Sequence, residues 1–401
     1  MAVDSPPAVS ELAAELIPST GEYAEGMAGH LVATIPELAT GDEDLREETR
    51  ASCEANIAQI FSLLKLGVPA DELVVPVEAA EWVRGLVRRG ISFGPLLRGY
   101  RLGHAWLWDR WSQALKERIS DPDELTAAID GSSAFMFAYV DRISDALIEA
   151  YGSEREKMLR SADQLRAETV RALLGGEAID EEVASGRLGY ELRRHHVAMR
   201  IVSSGEPRGL ERAAGEAAAF LGVAEPLVVA SGVASLDVWC GFFDEPETAA
   251  LDGYTPPDGI RVALGAPGHG LGGFRRSHVE ATQAARIAGL AGVPGVTTYP
   301  RIELVALLAS DLPRARAFVH RRLGALATAD EPTARLRNTV LAFLSAGGSS
   351  TRVAKELFVH QNTVTYRVKK AEELLGHRVT DDPIELSCAL TLAAALGDAV
   401  L

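Results

Sequence analysis

Cysteine is scarce in this chain. Cys53, Cys240 and Cys388 are the three present in 401 residues, and they stand far apart. With no Cys-x-x-Cys pair and no metal-ligand spacing, a disulfide framework and a zinc module are excluded, and free buried thiols are expected. Long apolar runs are missing as well: no window reaches the ~18 to 20 uninterrupted apolar residues that a membrane span needs. Met1 to Ile17 is acidic and lacks the basic start and apolar stretch of a secretory leader. A cytoplasmic protein with no membrane partner is the expectation. Positive charge is in deficit, with 40 Lys+Arg against 56 Asp+Glu, a net of −16 and a pI near 5.1. Taken as an average, that balance disfavours a polyanionic partner. What is present is ordinary for a globular protein, 47% apolar and 24% charged, at a length that suggests two or three domains.

The chain reads as multidomain and mostly α. Residues 1–150 carry helical periodicity over Gly41 to Leu66, Val77 to Gly90 and Glu124 to Tyr151, the last after the start signal Asp121-Pro122-Asp123. A nearly unbroken helical pattern runs from Val140 to Leu174 and stops at Gly175-Gly176, so 151–186 reads as a linking signal helix. From 187 to 330 the period changes. Strands are expected at Val197–Val202, Leu227–Ala230, Leu236–Phe243 and Ile260–Leu264, with a further one at Val296–Tyr299. Helices are expected at Leu210–Gly222, Gly273–Ala291 and Glu303–Leu326. That order gives one sheet with helices packed on it, a central α/β domain. Asp330 to Thr333 reads as a linker, and 333–401 as an all-α domain.

One stretch of the N-terminal region is unusual. Between Gly94 and Trp111 lie Trp106, Trp108 and Trp111 with Arg98, Tyr100, Arg101 and His104, on a helix expected from about Pro95 to Ile119. Two readings stand side by side. One is an aromatic-lined ligand pocket for a small-molecule effector, lined by Arg98, Tyr100, Arg101, His104 and Trp108, with an arginine or the histidine as polar anchor. The other is a helix-bundle core with arginines reaching outward along their stems.

The C-terminal segment carries the most chemistry. Arg335 to Leu344 is an amphipathic helix stopped at Gly347-Gly348; Ser349 or Ser350 can cap a short helix from Thr351 to Leu357. After the turn Phe358 to Gln361, a third helix, opened by Asn362 or Thr363, runs to Leu375 and stops at Gly376. Two short helices across a tight turn form the helix-turn-helix arrangement. Val364, Val368, Ala371 and Leu375 make a buried stripe on the third helix. The candidate DNA-binding residues are His360, Gln361, Asn362, Thr363, Thr365, Tyr366, Arg367, Lys369 and Lys370. Amides suit adenine edges, arginine suits guanine, and hydroxyls and ammonium groups reach phosphate. The acids Glu372 and Glu373 come only afterwards. Arg335 to Arg378 holds eight Lys/Arg against three acids, so the acidic average conceals a basic segment. Residues 1–150 hold 25 of the acids and only 12 of the bases.

The run from Ala354 to Gly376, with His360, Asn362, Thr363, Val364, Tyr366, Arg367 and Gly376 in place and Asp381-Asp-Pro383 following, closely resembles the C-terminal helix-turn-helix of the PucR/CdaR family of bacterial transcription regulators. Gln361 stands where many members have arginine, which removes one cation. Arg261 to Ala281 resembles part of the family's GGDEF-like domain, and Arg88 to Gly103 the RsbR-type sensory domain of some members. The resemblance implies a cytoplasmic regulator that binds double-stranded DNA through helix 362–375, as a homodimer or higher even oligomer, under control of an N-terminal signal. The alternative from another class is a stress-signalling or protein-interaction module that does not bind DNA.

An enzymatic reading finds little support. The diguanylate cyclases that the central domain resembles need hairpin acids for Mg²⁺, and the matching hairpin, Ser231 to Ser235, has no carboxylate. Gly268, Gly270 and Gly273 spell a G-x-G-x-x-G, but no acid follows at about 20 residues to hold a ribose, so a tight structural turn is favoured. His195, His196, His269 and His278 lack ligand spacing. No catalytic residue, metal or cofactor is expected.

Overall fold

The computed structural model describes residues 6–70 and 73–401, with main chain only at 249, 250 and 252. Contacts divide the chain into two compact units, Met1–Ala162 and Asp163–Leu401. The first, of which residues 1–5 lie outside the described residues, is helical: α1 (Pro7–Leu16), α2 (Thr20–Thr34), α3 (Glu43–Leu66), α4 (Val77–Arg88), α5 (Phe93–Arg118) and the first part of α6 (Pro122–Leu174). The α3 boundaries follow from end chemistry. Asp42 accepts from the Leu45 N–H at 3.2 Å, and Gly67 closes the helix at φ +66°, where a side chain would be strained. Leu45, Ile57, Phe61, Leu86, Leu107 and Trp111 meet in one core. The two overlapping helical patterns of the sequence, 124–151 and 140–174, are one continuous α6, because Gly152 costs only about 1 kcal/mol in a helix and breaks nothing.

The second unit starts from the end of α6 and α7 (Glu181–Leu188). Around β1 (His195–Ser203) stand α8 (Leu210–Phe220), β2 (Leu227–Gly232), β3 (Ser235–Phe242), β4 (Ile260–Leu264), a two-residue β5 (Gly268–His269), α9 (Gly270–Ala291) and β6 (Gly295–Thr298). The sheet order is β2-β3-β1-β4-β6, with β5 beside β1; only the β4–β6 pair is parallel. The strands expected from alternation are in place, and β5, too short to show a period, is the one that escaped sequence reading. Glycines of the G-x-G-x-x-G run let backbones touch. A Cβ on Gly273 would sit 2.1 Å from the Gly268 carbonyl carbon, and one on Gly268 2.6 Å from the Gly273 Cα. The run is therefore a close-packed turn against the start of α9.

Six helices complete the unit: α10 (Tyr299–Leu308), α11 (Leu312–Leu323), α12 (Glu331–Ser345), α13 (Ser350–Glu356), α14 (Gln361–Leu375) and α15 (Pro383–Leu396). Two differences from the sequence reading have plain causes. Residues 303–326 were grouped with the central sheet, yet Val319 and Leu323 share a core with Val340, Val364 and Leu390. Periodicity reveals that a helix has an apolar face, but not whose core that face fills. Asp330 to Thr333 is the start of α12 rather than a linker: Asp330 accepts from the Thr333 N–H at 2.8 Å, and Pro332 occupies the first turn, where its missing N–H costs nothing. Among the described residues, no helix is long and apolar enough to cross a membrane.

Under α9 the sheet carries a buried charged cluster. Asp237 of β3, 5% exposed, accepts from Arg200 of β1 at 2.7 and 2.8 Å and pairs with His278 of α9 at 2.9 Å. His278 stacks on Trp239, which lies flat on Phe274 with ring centroids 4.5 Å apart. Burial alone would raise the Asp237 carboxyl, but the hydrogen bonds from His278 and Arg200 outweigh it and hold the group below its usual value. A depressed folded-state pKa stabilises fully above the unfolded value of about 4 and fades as pH falls through the lower one. Asp237→Ala is expected to destabilise the protein by about 3 kcal/mol at pH 7, since Arg200 and His278 lose their buried partner. Urea denaturation measures this, and the wild-type advantage should shrink as pH falls below about 4.

Candidate nucleic-acid interface

The helix-turn-helix is set by its caps. Gly347 and Gly348 turn the chain at φ +64° and +82°, and Ser349 then accepts from the Arg352 N–H at 3.4 Å to open α13. The turn that follows contains Phe358 at φ +53°, 96% exposed. His360, not Asn362 or Thr363, caps α14: its Nδ1 accepts from the Asn362 N–H at 3.2 Å. Imidazole is an uncommon cap, so its role could not be read from residue preference alone. Gly376 ends the helix at φ +76°.

Side-chain placement on α14 follows from 3.6 residues per turn. Val364, Val368 and Ala371 are buried, and Leu375 is half-buried against the same core. That orientation leaves Gln361, Asn362, Thr365, Tyr366, Lys369 and Lys370 exposed, with Tyr366 at 67%. The capping His360 is exposed beside them, while Thr363 is half-buried. Thr365 donates back to the Gln361 carbonyl at 3.2 Å. Arg367 is half-buried on the flank facing α12, where its guanidinium donates to Thr339 Oγ1 at 3.3 Å. Lys370 bonds Glu373 at 2.8 Å, and that hydrogen bond raises the ammonium pKa and lowers the carboxyl's. The structure thus gathers the expected set on one helix but divides it: Gln361, Asn362, Thr365, Tyr366 and Lys369 face outward, while Arg367 braces α14.

The local charge is smaller than the count of eight bases. Arg337 is buried and donates to the Leu326 and Thr328 carbonyls, both at 2.7 Å. Arg335 pairs with Glu331. Among the described residues, Arg352, Lys355, Lys369 and Arg378 are exposed with no ion-pair partner, and these hold the positive field of the interface. Thr339 and Phe358 are the residues sequence reading missed. Thr339 was hidden because its role is to receive Arg367 from another helix. Phe358 was hidden because a lone aromatic in a turn gives no periodic signal.

The aromatic stretch of α5 packs into the bundle core and also borders open space. Trp111 is fully buried and stacks on Phe61 with centroids 5.9 Å apart, and the Arg110 guanidinium lies 3.5 Å over Trp106. Tyr100 and His104 line a cavity, while Arg101, His104 and Trp108 line a neighbouring groove. Arg98 is exposed and borders neither. Elsewhere His196 bonds Tyr190 and the Leu192 carbonyl, and no group of three or more His, Cys, Asp or Glu is placed to hold a metal among the described residues.

Three family models match the chain. Residues 21–166 match the RsbT co-antagonist protein rsbRD N-terminal domain, 175–287 the GGDEF-like domain, and 336–394 the PucR C-terminal helix-turn-helix domain. The transcriptional activator PmfR of Paenarthrobacter nicotinovorans is 29% identical over 161 residues, 39% of this chain and 34% of that protein. The purine catabolism regulatory protein of Bacillus subtilis (strain 168) is 35% identical over 91 residues, 22% of this chain and 17% of that protein. The chain therefore spans about a third or less of the length of these curated relatives. The crystal structure of a regulator of polyketide synthase expression from Bifidobacterium adolescentis is 24% identical, covering 58% of this chain and 98% of that one, with a TM-score of 0.30.

Phe358 gives a direct test of the turn geometry. A left-handed conformation costs a side-chain-bearing residue about 1–2 kcal/mol, and glycine gives back about 0.5–1 in chain entropy. Phe358→Gly is therefore expected to stabilise the protein by roughly 0.5–1 kcal/mol, read as a higher urea midpoint. A lower midpoint would mean that Phe358 packs against something in solution.

Proposed function

We propose that the chain, which matches the PucR C-terminal helix-turn-helix, GGDEF-like and rsbRD N-terminal domain models, is a PucR-type, sequence-specific, DNA-binding transcriptional regulator of the cytoplasm. In this reading α14 enters the major groove of double-stranded DNA. Asn362 and Gln361 offer bidentate amides to base edges, Thr365 and Tyr366 offer hydroxyls, and Lys369 meets phosphate. Arg367 acts from behind by fixing α14 on Thr339. The observation that carries the reading is the outward face of α14, which holds amide, hydroxyl, phenol and ammonium groups and no carboxylate before Glu372.

Residues 1–150 take the sensing role in this proposal, 151–186 the linking role, 187–298 a transmitting role without catalysis, and 299–401, which share one core, the DNA-binding role. The signal is a small molecule or another cytoplasmic cue. The active species is a homodimer or higher even oligomer, because paired helix-turn-helix units read half-sites about one helical turn apart. Exposed Met158, Leu159 and Leu165 on α6, at 43, 58 and 42%, support a helix that finds its cover in a second copy.

Fluorescence anisotropy with genomic fragments against random DNA tests the proposal. A sequence-specific component is expected. Asn362→Ala should weaken it by about 1–3 kcal/mol, and Lys369→Ala should weaken all DNA alike while reducing the salt slope by about one. A protein-interaction module would bind both DNAs equally or not at all.

A further inference from the structure

Between α2, α3, α4, α5 and α6 of the first unit lies a cavity of about 50 Å³, counted as the space open to the centre of a water-sized sphere. One water needs roughly 10–15 Å³ on that measure, so the space suits several waters or one small organic molecule. Its wall is largely apolar, including Leu31, Ile57, Ile60 and Leu107, with Trp82 at one side. Two glycines on the wall let neighbouring side chains close in on α5. A Cβ on Gly103 would lie 3.1 Å from the Met27 sulfur, and one on Gly99 3.3 Å from the Trp82 ring.

Polar groups gather within this apolar wall. Tyr139 donates to Asn56 Oδ1 at 2.9 Å, and Asn56 donates one N–H to the Ser52 carbonyl at 2.7 Å. The Asn56 amide reaches the Tyr100 hydroxyl only at 3.5 Å, a long and weak bond. Among the described residues no hydrogen bond is made by the His104 ring; its one ring contact is to Phe137, with centroids 6.2 Å apart. The imidazole is half-buried, so its nitrogens are open to a partner from solvent or from a molecule in the cavity. His104 and Val140 also line the groove that holds Arg101 and Trp108, so these two side chains stand between the cavity and the groove.

Formal charge is absent from the wall. No Asp, Glu, Lys or Arg lines the cavity. Burial lowers the His104 pKa, which favours the neutral ring, and pushes the Cys53 thiol up to about 12. A carboxylate or an ammonium ligand would therefore be desolvated with no counter-charge. A neutral imidazole offers one donor nitrogen and one acceptor nitrogen, and a hydroxyl can pair with either.

We propose that this cavity binds a small neutral molecule with an apolar body and a hydroxyl head, held by His104 and Tyr100. The proposal deepens the sensory reading of the N-terminal unit and rests on it for its regulatory meaning. Tyr139 and Val140 belong to α6, whose backbone continues unbroken to Leu174, so a ligand here touches the helix that leaves the unit.

Titration calorimetry of the full chain with phenol, toluene and benzoate tests the chemistry. Phenol is expected to bind saturably at one site per chain, toluene at least fivefold more weakly, and benzoate at least tenfold more weakly. His104→Leu should weaken phenol at least fivefold while leaving toluene within twofold, with the melting temperature reporting that the variant is folded. Benzoate binding as tightly as phenol, or no saturable phenol binding to the wild-type chain, overturns the proposal. Operator affinity measured with and without saturating phenol separates the two layers. Saturable phenol binding with unchanged DNA affinity leaves the ligand site standing and contradicts the sensory reading.

Discussion

Burial of Val364, Val368 and Ala371 in the C-terminal core is the constraint on which the functional surface depends. A helix turns by about 100° per residue, so fixing that stripe inward fixes Asn362, Thr365 and Lys369 outward without further instruction. The rest of the domain holds the stripe in place. His360 and Ser349 open the two helices, Gly376 closes the second, and Arg367 ties α14 to Thr339 of α12. Arg337 serves the same end from inside, joining α12 to the Leu326 and Thr328 carbonyls. Cations counted in the sequence as one basic segment therefore have two occupations, with Arg337 and Arg367 holding the scaffold and the others exposed.

That division matters because the chain is strongly acidic overall, at −16. A negative field repels phosphate at long range, and salt screens it beyond roughly 8–10 Å. In the proposed reading, a chain of this composition gains little from bulk charge and relies on close hydrogen bonds and on pairing of two reading heads. The excess of acids lies mainly in residues 1–150, with 25 acids against 12 bases, and there Asp42, Glu47, Glu48 and Glu54 are tied to Arg89 and Arg50. Most of these are partly exposed pairs worth little individually, and their effect is on solubility more than on stability.

Period and punctuation made the strands of the central sheet and the limits of α3, α4 and α14 legible in the sequence. Much of what stayed hidden depends on a partner far away in the chain. Residues 299–327 have an obvious apolar face, yet only the fold assigns it to the C-terminal core. Asp237 sits in a strand like any alternating residue until Arg200 and His278 reach it from two other elements. Arg98 and His104 look alike as polar anchors in the α5 segment; the helix turn places one in water and the other on a cavity wall. The G-x-G-x-x-G motif misleads in the opposite direction, since its glycines answer backbone contacts as close as 2.1 Å rather than a phosphate.

Photocrosslinking tests most directly whether α14 is the surface that meets DNA. A benzophenone side chain placed at Thr365, on the outward face of α14, is compared with one at Val233, 90% exposed at the tip of the β2–β3 hairpin. Incubated with an operator fragment recovered by sequencing DNA bound to the protein, the Thr365 probe should crosslink at defined positions within the site, and the Val233 probe should not. No crosslinks from position 365, or equal yields from both positions, would contradict the account.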